Sequence, residues 1–74
     1  MWRKRQPYIR AGDAYKAAGD NAKAYDSFLK AYQIRAANGA SKSELREVLF
    51  KMQEVAAPGS PEKDEVDKAI ANQL

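Results

Sequence analysis

From Tyr8 to Ile34 the chain reads YIRAGDAYKAAGDNAKAYDSFLKAYQI, with small and aromatic side chains in a regular order at helical spacing. Ala11, Gly12, Ala24 and Ala31 are small enough to let two helix backbones approach closely, while Tyr8, Tyr15 and Phe28 are large enough to fill the gaps beside them. Gly19 interrupts the pattern. It tolerates the left-handed backbone conformation that ends a helix, and Asp20 or Asn21 behind it offers a side-chain oxygen to cap the next one. The stretch therefore predicts a helix over about residues 7–18 with Pro7 in its first turn, then a tight turn and a second helix from Asn21 to Ala37. On that second helix Asp26 and Lys30 are one turn apart in the favourable order for an ion pair.

Asn38-Gly39 closes the second helix. Ser41 and Glu44 have the spacing of a capping box, and the third helix they open is expected to reach Val55. Its apolar residues Leu45, Val48, Leu49, Met52 and Val55 recur every three or four positions and form one stripe. Phe50 falls off that stripe, either as a lid on the domain edge or as a contact for another molecule. The cluster Ala57-Pro58-Gly59-Ser60-Pro61 breaks the chain again, with Ser60 as a cap and Pro61 as the first residue of a fourth helix running to Gln73. That helix opens with acids, which suit the positive end of its dipole. Its apolar positions Val66, Ala69, Ile70 and Leu74 make a narrow stripe, so it is expected to be the weakest of the four. The predicted fold class is all-α, a helical hairpin with one or two capping helices in a single domain over residues 7–74, behind a basic lead-in at residues 1–6.

A chain of 74 residues buries only about 60% of its unfolded surface when it folds, so its core is thin. It contains no Cys and no His, which removes disulfides and the usual zinc ligands as braces. Tight helix packing or association with another chain is left to supply stability. Catalysis is poorly provided for. Without His, Cys or a glycine-rich phosphate loop, and with no pair of titratable groups forced together in an apolar pocket, the reading is a non-enzyme without metal or cofactor. No run of eighteen apolar residues occurs and Met1–Arg10 lacks the apolar core of a secretory signal, so a soluble, cytoplasmic protein is expected.

The order Tyr8, Ala11-Gly12, Ala14-Tyr15, Gly19-Asp20, Ala24, Phe28, Ala31 resembles a tetratricopeptide repeat, a helix-turn-helix unit of about 34 residues. Ala11 stands where Leu is usual, Asn21 where an aromatic is common, and Ala36 where the closing Pro belongs. The resemblance covers about half the chain. A second unit set 34 residues later places Leu45, Leu49 and Met52 inward but puts Arg46 where Gly or Ala is wanted, so the third and fourth helices read as a cap on the hairpin. The family resemblance implies a protein-binding scaffold whose first helix lines a concave surface, onto which Gln6, Ile9, Asp13, Lys16 and Ala17 would project. Ile9 and Asp13 occupy the positions where family members that grip a C-terminal carboxylate carry Lys and Asn, so an apolar or basic segment is the better ligand.

Tyr25, Leu29 and Tyr32 form a second stripe on the second helix that something must cover. The third helix is the plain answer, and a partner or a second copy is the sharper one, since interfaces favour Tyr. The partner-binding residues read from the sequence are thus Ile9, Asp13, Lys16, Tyr25, Leu29 and Tyr32, for a protein or peptide segment, with a homo-oligomer through the same stripe as the alternative. Trp2 beside Arg3, Lys4 and Arg5 suits nucleic acid or an anionic membrane, but three adjacent cations are few for either, and that reading is disfavoured. Residues 1–10 carry Arg3, Lys4, Arg5 and Arg10 without an acid, whereas the fourth helix carries Glu62, Asp64, Glu65 and Asp67 against Lys63 and Lys68. The plain reading of the basic end is a solvated tail, and the alternative is a contact with the fourth helix, within one chain or between neighbours as a head-to-tail assembly. Asp64-Glu65-Val66-Asp67 resembles a caspase recognition sequence, but a helical segment with Val66 turned inward does not offer the extended strand a protease needs.

Overall fold

The structure, a computed structural model, describes residues 7–73. Its elements are α1 (Pro7–Ala17), α2 (Asn21–Ala37), α3 (Lys42–Val55) and α4 (Pro61–Gln73), with no strand among the described residues. The lead-in at residues 1–6 and Leu74 lie outside them.

Local chemistry sets each boundary. At the end of α1, Gly19 has φ 84°, its N–H donates to the Lys16 carbonyl and the Asp20 N–H to the Tyr15 carbonyl. The same pair of bonds recurs after α2, from Gly39 to Ala36 and from Ala40 to Arg35. Both are Schellman closures, which satisfy carbonyls the helix leaves unpaired and need a residue with positive φ. The third break differs. The Ser60 N–H donates to the Ala57 carbonyl across Pro58 and Gly59, with φ 78° at Gly59, as in a type II turn with Pro first and Gly second. At the opposite ends, the side chains of Asp20, Ser41 and Ser60 accept from the Lys23, Glu44 and Lys63 amides at 3.2, 3.3 and 3.2 Å. Asp26 and Lys30 pair at 3.6 Å along α2.

Packing follows chain order: α1 on α2, α2 on α3, α3 on α4. Tyr8 lies near Lys30, Gly12 against Phe28 and Tyr15 near Lys23, so α1 and α2 run antiparallel. The whole measures 34 × 29 × 14 Å. Helix axes about 8–10 Å apart make that thickness two staggered rows, α1 beside α3 and α2 beside α4. Ala24, Phe28 and Ala31 of α2, Val48, Leu49, Met52 and Val55 of α3, and Val66 and Ile70 of α4 form one core. Gly12 is the buried residue of α1.

One aromatic sits elsewhere than its spacing suggests, and another, Phe50, sits off the α3 stripe as its spacing predicts. Tyr15 does not fill the hairpin; it is 38% exposed with the Lys23 ammonium 5.8 Å from its ring, because α1 flanks the array at its edge. Phe50 is 44% exposed and apart from the core cluster.

Candidate functional site

On α2, residues 25, 29 and 32 are spaced four and three apart and share one flank, turned away from the Ala24, Phe28 and Ala31 face. Tyr25, Leu29 and Tyr32 are half-buried against the core. α3 covers only part of the stripe. The remainder faces α4 across an open apolar cavity of about 160 Å³, whose floor is Leu49 and Met52 and whose far wall is Glu65, Val66 and Ala69. A second hollow of about 250 Å³ continues it toward the start of α2, between Ala22, Tyr25, Val55, Ala56 and Glu62. Tyr25 lines both, so the two form one groove between α2 and α4.

The charged residues lining this groove are Glu62 and Glu65. Neither forms an ion pair among the described residues. Partial burial pushes the Tyr25 phenol above its ordinary value of 10.0, and the Glu65 and Glu62 carboxylates add to the effect. The site is therefore apolar in its floor, phenolic on one wall and negative at its rim.

The other residues singled out from the sequence lie between α1 and α3. Ile9 packs against the core, which leaves part of its side chain for any partner. Asp13 accepts from Lys51 at 3.3 Å, and Lys16 pairs with Glu54, whose carboxyl the lysine's hydrogen bond and charge hold below the ordinary value of 4.5. The Lys51 ammonium also stands 5.8 Å from the Phe28 ring. Asp13 and Lys16 thus tie α1 to α3, in two opposite-charge pairs with residues 38 positions on.

The structure brings Tyr25, Leu29 and Tyr32 together with Leu49 and Met52 of α3, the cover the sequence suggested, and with Glu65, Val66 and Ala69 of α4, which sequence reasoning had not joined to them. The only signal was that both stripes needed cover. Trp2, Arg3, Lys4, Arg5 and Gln6 lie outside the described residues. The Asp64–Asp67 string is inside α4 with Val66 2% exposed. Gln53 Nε2 donates to Asp67 Oδ1 at 2.9 Å and Lys63 pairs with the same carboxylate, which joins α4 to α3.

Among the described residues, no helix is long and apolar enough to cross a membrane. Comparison of the chain with protein-family models, with curated proteins and with solved structures finds no match in any of the three.

Proposed function

We propose that this chain is a small protein-interaction module, an adaptor or chaperone-like subunit of the cytoplasm, whose groove between α2 and α4 holds a segment of a protein partner. The observation that carries the reading is the open apolar cavity between Tyr25, Leu29 and Tyr32 on one wall and Val66 and Ala69 on the other. An apolar or aromatic side chain entering it removes apolar surface from water on both sides, and preformed helix walls lower the ordering cost of binding. Glu62 and Glu65 favour a ligand with a cation beside that anchor. The resemblance of Tyr8–Ala31 to a tetratricopeptide hairpin supports a scaffold role, since such hairpins hold peptide segments. Of the two surfaces the sequence offered, this reading uses the flank of α2, because Asp13 and Lys16 on the first helix are engaged with α3.

The test is amide chemical-shift mapping with short peptides that each carry one Trp or Leu next to two Arg, beside controls with Glu in place of Arg. Amides of Tyr25, Leu29, Tyr32, Val66 and Ala69 are expected to shift, and the Glu controls to bind about tenfold more weakly. Leu29→Glu should abolish the response. Shifts confined to the α1–α3 face, or no shifts with any peptide, would overturn the reading.

A further inference from the structure

Among the described residues, the groove between α2 and α4 has an apolar floor, two carboxylates and no cation in its lining. The complementary chemistry is present in the same sequence. Trp2-Arg3-Lys4-Arg5 sets the single Trp of the chain beside three consecutive cations, in a ten-residue stretch that holds no acid. We propose that Trp2–Arg5 of one copy fills the α2–α4 groove of a second copy, the indole entering beside Tyr25, Leu29 and Tyr32 and the cations meeting Glu62 and Glu65. This names the partner of the interaction module and rests on that reading.

Size and charge both fit. An apolar cavity of about 150 Å³ accommodates a benzene-sized ring. The one beside Tyr25 measures about 160 Å³ and is open on one side, so the six-membered ring of an indole fits within it while the rest of the side chain lies in the opening. Guanidinium groups pair with carboxylates in two-point geometry, which sets the direction in which the segment lies across the rim.

A second copy is a better donor than the chain itself. α1 contributes no residue to the groove, and α2 stands between α1 and α4. Trp2 precedes Pro7 by five residues, which span about 17 Å at full extension. That length is nearly used up in crossing α2, which is about 10–12 Å across with side chains, before any descent toward Tyr25 and Glu62. A neighbouring molecule meets no such limit. Each copy gives one segment and offers one groove, so reciprocal exchange closes a dimer and non-reciprocal exchange extends into a chain of copies.

Because Trp2 is the only Trp, its emission reports on this contact without a label. The experiment follows Trp emission and sedimentation mass of the full chain over about a hundredfold range of concentration. The emission is expected to shift to the blue in step with the rise in mass. Trp2→Ala should abolish association with an unchanged circular dichroism spectrum, and E62Q/E65Q or high salt should weaken it about tenfold. A monomer at every concentration overturns the proposal, whether its emission stays red or is already blue from docking on its own groove. A rising mass with unchanged emission overturns it as well, by placing association on another surface. A synthetic peptide of residues 1–6 separates this idea from the broader one. If unrelated Trp-and-Arg peptides bind the groove while this peptide does not and the chain stays monomeric, the self-contact falls and the interaction module stands; if no peptide binds, both fall.

Discussion

Gly12 on α1 lies directly against the ring of Phe28 on α2: a Cβ at position 12 would stand 2.6 Å from Phe28 Cδ1 and 2.8 Å from Cζ. Phe28 has no exposed surface, and Lys51 roofs it from α3 while holding Asp13. The ring therefore has no free direction in which to swing. Gly12→Ala forces the hairpin apart at a cost of about 1–3 kcal/mol, against which better helix propensity returns up to about 1 kcal/mol. A net loss of about 1–2 kcal/mol is expected in chemical denaturation, partly recovered when Phe28→Leu is added. An unchanged or raised midpoint for Gly12→Ala would show that the contact is looser than its geometry.

Acid should loosen the joins between neighbouring helices. Hydrogen bonds from Lys63 and then Gln53 hold the Asp67 carboxyl below its ordinary 3.8, and Lys16 does the same for Glu54 below 4.5. The unfolded chain takes up these protons first as pH falls. The stability the two groups contribute is thus complete above about pH 5 and is lost as pH drops through their lower folded values. Asp67→Asn should flatten the acid limb of a stability profile, with the difference from the parent chain vanishing below both values. An acid limb of unchanged slope would assign acid unfolding to other carboxylates.

α4 depends on one side chain at its start. Ser60 Oγ accepts from the Lys63 amide at 3.2 Å and donates to the Ala57 carbonyl at 2.6 Å, so it caps the helix and closes the preceding turn. Ser60→Ala should cost about 1 kcal/mol. Hydrogen exchange should accelerate in α4 ahead of α2 and α3, since α4 is held mainly by Val66 and Ile70 on α3. Uniform acceleration across all four helices would mean that α4 unfolds only with the rest.

Tyr25 offers a spectroscopic check on the groove. Its phenol is pushed above 10.0 by burial, then by Glu65 and Glu62. Glu65→Gln should lower its titration midpoint, and deeper burial of the phenol beside a bound aromatic should raise it. The folded state keeps this proton after the unfolded chain has lost it, so the associated stability is complete below pH 10.0 and falls as pH rises beyond it. A midpoint indifferent to Glu65→Gln would place that carboxylate away from the phenol.

The helix boundaries were legible because they rest on contacts within a few residues. Gly19 with Asp20, Ser41 with Glu44, and Pro58-Gly59 with Ser60 each carry their hydrogen bonds locally, and only the end of α1 differs, at Ala17 in place of position 18. The core residues Ala24, Phe28, Ala31, Val48, Leu49, Met52 and Val55 were legible for a related reason: a periodic apolar stripe has to face inward. Tyr15 misled, because an aromatic on the period of a helix is buried only if a neighbour covers that face, and α1 is covered on one side alone.

By itself the sequence determined four helices, their caps, the close approach at Gly12 and the stripe formed by Tyr25, Leu29 and Tyr32. These depend on spacing and on groups a turn or two apart. Only the tertiary structure decided that α4 stands across from that stripe and leaves an acid-rimmed groove, and that Asp13 and Lys16 are taken up by Lys51 and Glu54. Those pairings depend on the rotation and offset of whole helices. Rotation and offset are settled by the sum of packing along α2 and α3, which no short stretch of sequence contains.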